Sequence, residues 1–310
     1  MLTVLAPAKL NLTLEVLAER QDGFHEIRSV VQTINLCDTL YFQLSHSINF
    51  SCADPDWIPE RSLVSKAVGL LRKTTGCSKG ATVEVDKRIP LVSGLSGDSS
   101  DAAATLWGLN QLWELGLPPK ELLRLASKLG SDVSFFLYGG TALLEGRGEI
   151  VIPLLPLPHM WVVLMMPPVP RLPGKTARLY ATLKISHYTQ GKATDGLLKA
   201  LAGRSFKGLR PLKANTPPPL KNKGIDGERL VSNVFNVFDT VACDSFTGLS
   251  QYREQFLEAG AEEVHLAGSG PALFTLVKDR LRAEEIYLHL WQQGLESYLT
   301  DTLATIEQVK

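Results

Sequence analysis

The stretch P-L-V-S-G-L-S-G-D-S-S-D-A-A-A, residues 90–104, decides how the rest of this chain reads. Between Ser93 and Ala102 it holds two glycines and four serines, then runs directly into apolar helical spacing. Ala102, Leu106, Leu109 and Trp113 recur at the intervals of one helix face. Glycine permits turns that a side chain forbids and lets a ligand approach the main chain. The serines add hydroxyl donors, and a helix start offers unpaired N–H groups at the positive end of its dipole. Such a combination suits an anion, phosphate foremost. An ordinary loop capped by Ser96, Asp98 or Ser99 fits the same residue types, and both readings stand at this level.

Several familiar sites are excluded. No lysine follows the glycines of this loop as a Walker A requires. Pro173-Gly174-Lys175-Thr176 resembles the tail of one, but Val169 occupies the place of the first glycine and prolines surround it, so it is set aside. There is no G-x-G-x-x-G around the loop, no G-x-S-x-G elbow, and no zinc spacing among the six histidines.

A chain of 310 residues exceeds what one hydrophobic core usually serves, so two domains are expected. Lys+Arg and Asp+Glu both total 32, which argues against nucleic acid or an anionic membrane as partner. Cys37, Cys52, Cys77 and Cys243 are scattered, as free thiols in a reducing compartment are. Lys9 interrupts the apolar start, so no signal peptide is expected. Residues 150–170 lack charged side chains but carry six prolines, which suits a short buried strand over Met160–Met166 and not a membrane span. A cytoplasmic protein with no obligate protein partner is expected.

Along the chain, Leu10, Leu12, Leu14 and Val16 alternate with polar residues as in a half-buried strand, which projects Lys9 and Asn11 together on the polar face. Asp22-Gly23 forms a turn, with Phe24-His25 directly after it. Strand regions follow at residues 38–50 and 81–85, with a helix between them marked by Leu63, Val64, Ala67, Val68 and Leu71. The helix from Ala102 stops at Gly116 and Pro118; another, with Leu122, Ala126 and Leu129, ends at Gly130, and Ser131-Asp132 opens a further short segment. Residues 145–149 read as a hairpin turn. The proline cluster from Pro153 to Pro173 marks the boundary, dividing the chain into domains 1–158 and 159–310. Residues 203–229, with seven basic and two acidic side chains and four prolines, read as an exposed excursion. Gly268-Ser269-Gly270-Pro271 is a second glycine turn between strands, of interest only if it lies beside the first.

A phosphate cradle, a strand-borne lysine and a helix-edge aspartate are parts that suffice for phosphoryl transfer, which asks mainly for positioning, a cation, a metal and a group to deprotonate the acceptor. Lys9 could be the cation and Asp132 the base, although singly each reads as a surface lysine and a helix cap. Pro7-Ala8-Lys9-Leu10-Asn11-Leu12, Asp22-Gly23-Phe24-His25, Pro90–Ala103, Leu129-Gly130-Ser131-Asp132-Val133 and Ala267-Gly268-Ser269-Gly270-Pro271 occur in the order seen in the GHMP small-molecule kinases, which this chain resembles over nearly its whole length.

The resemblance implies an α+β fold in two domains, ribosomal-S5-like and then ferredoxin-like, with the active site in the cleft between them. It implies ATP as phosphoryl donor, with Mg²⁺, its phosphates on Pro90, Leu91, Val92, Ser93, Gly94, Leu95, Ser96, Gly97, Asp98, Ser99 and Ser100. Asp132 would be the base and Lys9 its electrostatic partner. The acceptor would be a cytidine-diphosphate conjugate of a methylated tetritol, phosphorylated on its 2-hydroxyl in isoprenoid biosynthesis. Phe24 would stack on the cytosine, His25 would bond its edge, and Asn11, Gly268 and Ser269 would hold the rest. Asp98, Ser99 and Ser100 are metal candidates only. Two departures from the family pattern stand out. Asp98 replaces a glycine that commonly faces the triphosphate, so its carboxylate is expected to turn to solvent or to the metal. Val31 stands where relatives often carry an aromatic residue, so the base contact is expected to rest on Phe24. Another GHMP kinase, a silent nucleotide-binding module and, by fold analogy alone, an RNA-binding protein are the rival readings.

Overall fold

The computed structural model describes residues 1–170, 172, 174–202 and 231–305; the basic excursion at 203–229 lies outside the described residues. The strands are β1 (Leu2–Asn11), β2 (Thr13–Glu19), β3 (His25–Ser45), β4 (Ile48–Cys52), β5 (Gly80–Asp86), β6 (Thr141–Gly146), β7 (Ile150–Pro153), β8 (Trp161–Met166), β9 (Phe235–Asn236), β10 (His265–Leu266), β11 (Leu273–Val277) and β12 (Glu296–Asp301). The helices are α1 (Leu63–Thr75), α2 (Gly97–Leu112), α3 (Pro119–Leu129), α4 (Ser131–Tyr138), α5 (Lys175–Thr182), α6 (Lys192–Ala202), α7 (Ala242–Ser245), α8 (Leu249–Glu258) and α9 (Arg280–Gln292).

The long strand β3 is the hub of the first sheet, pairing with β1, β2, β5 and β6 along its length. Helices α1 to α4 cover this sheet, and Phe42, Leu71, Leu106, Trp113 and Phe135 fill the layer between. The spacing read from Ala102 to Trp113 is thus the buried face of α2. The second sheet, β10-β11-β8-β12, is antiparallel, and α9 packs on its β8 and β12 strands. These two sheets with their helices are the α+β arrangement expected.

Three ties join the halves. Thr13 and Leu14 of β2 pair with Phe235 and Asn236 of β9, and Ile34 bridges Thr302. The buried Glu15 carboxylate accepts the N–H groups of Ala193 and Thr194 at 3.3 and 2.8 Å, satisfying orphan donors in the first turn of α6. Burying a carboxylate away from water is costly unless such donors meet it, so Glu15 fixes where α6 sits.

Candidate active site

The pairing of β1 with β3 slips between Pro7 and Ala8, a bulge of the kind that re-aims side chains. Two residues on, the Lys9 N–H donates to the Leu95 carbonyl at 3.1 Å, which fastens the glycine loop to the strand. Lys9 and Asn11 share a face, as the strand period predicts. That face is buried, however, because the second half of the chain closes over it. Lys9 Nζ donates to Asn11 Oδ1 at 2.6 Å, and Asn11 Nδ2 donates to Ser29 Oγ at 2.8 Å. Lys9 Nζ also lies 3.6 Å from Asp132 Oδ2, so the strand lysine and the helix-edge aspartate do meet.

The glycine loop turns through left-handed backbone at Gly94, and also at Val92 and Ser96, where a side chain makes that conformation costly. Gly94 could be nothing else: a Cβ there would stand 2.0 Å from the Ala267 carbonyl oxygen. The second glycine turn therefore lies against the first. A Cβ on Gly268 would stand 2.8 Å from the Gly94 oxygen, and the Ala272 N–H donates to the Ser93 carbonyl at 3.1 Å. The two turns form one floor.

No side chain caps the N-terminus of α2, so its first N–H groups are free for a ligand, and the reading of an ordinary capped loop fails. Asp98 instead turns to α1. Both its oxygens accept the Leu63 N–H, at 3.0 and 3.2 Å, which settles its charge on a neighbouring helix start and not in solvent. Burial pushes the Asp98 carboxyl up from its ordinary value, against the Leu63 N–H bond and the more distant Lys87 and Lys66. Behind the loop, Lys87 Nζ bonds Asp38 and, at 2.9 Å, Asp101. Burial works against the Lys87 charge, but the two carboxylates override it and raise its pKa.

A cavity of about 1160 Å³ opens above this floor. Lys9, Asn11, Phe24, His25, Asp132, Gly268 and Ser269 all line it, as do Pro90–Gly94 and Ser96–Ser99. Leu95 and Ser100 do not. Leu95 is buried in the core between the halves, and the Ser100 side chain is buried behind the first turn of α2. Val31 is core as well and lines no part of the cavity. The aromatic partner comes from elsewhere: Tyr180 of α5 stacks on His25 with ring centroids 4.8 Å apart. Burial, and then the charge of Asp132, push the Tyr180 hydroxyl up to about 12. Phe24 is 54% exposed, with the Arg147 guanidinium 4.7 Å above its ring. Lys175 and Thr176, set aside in the sequence as a failed Walker A tail, also line the cavity, and Thr176 Oγ1 lies 2.8 Å from Ser269 Oγ. Among the described residues no cluster of three or more His, Cys, Asp or Glu could hold a metal, and no helix is long and apolar enough to cross a membrane.

An uncapped helix start beside an amine–carboxylate pair, both lining one deep cleft, suits a phosphotransferase for small molecules. Residues 62–140 match the GHMP kinases N terminal domain and residues 233–296 the GHMP kinases C terminal. A 4-diphosphocytidyl-2-C-methyl-D-erythritol kinase of Dehalococcoides mccartyi is 47% identical over 99% of this chain and 100% of its own length. Another, from Gloeobacter violaceus, is 37% identical over 96% of this chain and 93% of its own. A crystal structure of 4-(cytidine 5'-diphospho)-2C-methyl-D-erythritol kinase superposes with a TM-score of 0.76 at 28% identity, covering 97% of this chain and 98% of that one. Homoserine kinase from Cytophaga hutchinsonii shares the fold, with a TM-score of 0.70 at 20% identity over 99% of this chain and 95% of its own. The chain belongs to the GHMP kinase family, and as such it is a kinase that draws its phosphoryl group from ATP.

Proposed function

We propose that this kinase phosphorylates the 2-hydroxyl of 4-diphosphocytidyl-2-C-methyl-D-erythritol, in isoprenoid biosynthesis in the cytoplasm, with domains divided at residues 158 and 159. The observation that carries the reading is the meeting of Lys9 Nζ and Asp132 Oδ2 at 3.6 Å beside the uncapped start of α2. It is supported by the relatives' names and by the aromatic and histidine side chains at one end of the cleft.

The triphosphate lies along the glycine loop with its terminal phosphates at the α2 N–H groups, where the helix dipole favours negative charge. Asp132 accepts the proton of the acceptor hydroxyl as that oxygen attacks the γ-phosphorus and the bond to the β,γ-bridging oxygen breaks. Lys9 is held by Asn11 and neutralises charge on the transferred group. Mg²⁺ would be held on the protein side by the Ser99 hydroxyl, which lines the cavity at the start of α2, and would supply positive charge to offset that of the phosphates. The Asp98 carboxylate is occupied by Leu63 and is not proposed as a ligand.

ATP consumption measured with 4-diphosphocytidyl-2-C-methyl-D-erythritol, mevalonate and homoserine tests the reading. Turnover is expected with the first alone. Preference for either of the others would assign a different GHMP activity, and no turnover with any would mark a silent nucleotide-binding module.

A further inference from the structure

Lys175 stands in the cleft under three unfavourable influences at once. It is 8% exposed, the like charge of Lys9 acts on it, and it is the first residue of α5, at the positive end of that helix. Among the described residues no carboxylate pairs with it, and the contact it makes is to the Gly270 carbonyl oxygen. Burial, and then the charge of Lys9, push its pKa down to about 7. Held this way, a lysine lowers the stability of the empty protein, because a buried charge needs an opposite one to offset its lost hydration. Among the described residues nothing supplies that charge, so an incoming anion is its natural complement.

The position of Lys175 says which anion. The donors proposed for the triphosphate belong to α2, whose N-cap residue Ser96 bonds Asp132. Lys175 belongs to α5, whose next residue Thr176 bonds Ser269 and whose Tyr180 stacks on His25. Lys175 thus lies between the second glycine turn and the aromatic end of the cleft. We propose that Lys175 is a second cation of the site and binds the diphosphate of a cytidine-diphosphate acceptor, a contact that rests on the acceptor class proposed above. The Lys9 ammonium is then free to serve the transferred phosphoryl group.

The test uses Lys175→Met, which keeps length and removes charge, with Lys175→Arg as the conservative control. Calorimetry with cytidine diphosphate is expected to show about a ten- to hundredfold weaker Kd for the methionine variant, the scale of one charge-assisted hydrogen bond, with partial rescue by arginine. The acceptor KM should rise to match while the ATP KM stays within about twofold. Lys9 on β1 is the charge that acts on the amine, and Asp132 on α4 and Glu296 of β12 border the cavities that Lys175 lines. The unliganded methionine variant should melt higher than the parent at about pH 6 to 7. That gain should shrink toward about pH 10, because between the lowered pKa and the ordinary lysine value the unfolded chain holds the extra proton. A structural lysine would give the opposite stability change. Unchanged cytidine diphosphate affinity, a loss confined to ATP, or a methionine variant that melts lower would each overturn the proposal. If the parent binds cytidine diphosphate through Lys175 but does not turn over the methylerythritol conjugate, the reaction assignment fails and this contact stands.

Discussion

Ser96 Oγ donates to Asp132 Oδ2 at 2.6 Å, tying the glycine loop to the first turn of α4. Lys9 approaches the same oxygen, so Oδ1 takes part in neither contact. The serine occupies left-handed backbone, φ 59°, where a glycine would sit without strain. Its hydroxyl is thus bought with local strain. Ser96→Ala removes the tie and keeps the strain; kcat should fall about tenfold with both KM values within about threefold, as loss of a bond to a charged group implies. Ser96→Gly should match it in activity yet be more stable than the alanine variant by about 1 kcal/mol. Full activity in both would show that Asp132 is positioned without Ser96.

Asp98 joins the same loop to α1 through the Leu63 N–H, and its role follows from that contact. Asp98→Gly should destabilise the protein by about 0.5–2 kcal/mol, the range for a lost helix cap, read from denaturant midpoints. The ATP KM of the variant should show the parent's dependence on Mg²⁺. A magnesium dependence that steepens in the variant would return Asp98 to the metal.

The Lys87 ammonium holds two carboxylates that are fully buried, those of Asp38 and Asp101. Asp38 is further met by the N–H groups of Arg88 and Ile89 at 2.6 and 2.8 Å, whereas Asp101 Oδ1 has no partner. Lys87→Met would strand both charges. The expected cost is about 3–5 kcal/mol, measured by urea unfolding. Reverting part of that loss with Asp101→Asn in the same chain would confirm that charge, and not packing, is responsible.

The parts of this molecule that rest on local chemistry were readable in the chain itself. Gly94 and Ser96–Ser99 run into helical spacing because the loop and α2 are contiguous, and Lys9 with Asn11 follows from strand period alone. The α+β arrangement followed from the family resemblance, and the comparisons bear it out. Pairings across the sequence were not readable. Lys87 reaches Asp38 across 49 residues, and nothing near either marks the other. The full extent of β3 was hidden because both its faces are covered, so Gln32 and Thr33 are buried beside Val31 and the alternation disappears. Lys175, which resembles only the tail of a failed Walker A, and Tyr180 carry no local mark of the cleft. They sit on an eight-residue helix behind a proline cluster, and only folding carries that helix to the cleft.

Tyr180 and Phe24 compete for the role of nucleobase platform, and their settings separate them. The Tyr180 ring is held on one side by His25 and meets Phe238 edge-on at 5.0 Å, so it is ordered before any ligand arrives. Phe24 is an exposed turn residue under Arg147, and fewer contacts hold its ring. Stacking a base on an aromatic side chain is worth about 1–3 kcal/mol, and the pre-ordered ring delivers more of it. Tyr180→Ala should therefore weaken inhibition by cytidine monophosphate about ten- to hundredfold, and Phe24→Ala by less. Tyr180→Phe should retain most of the affinity, because the ring and not the hydroxyl makes the contact. If Phe24→Ala alone abolished competition, the platform would be the exposed ring and His25 would reach the base from the opposite side.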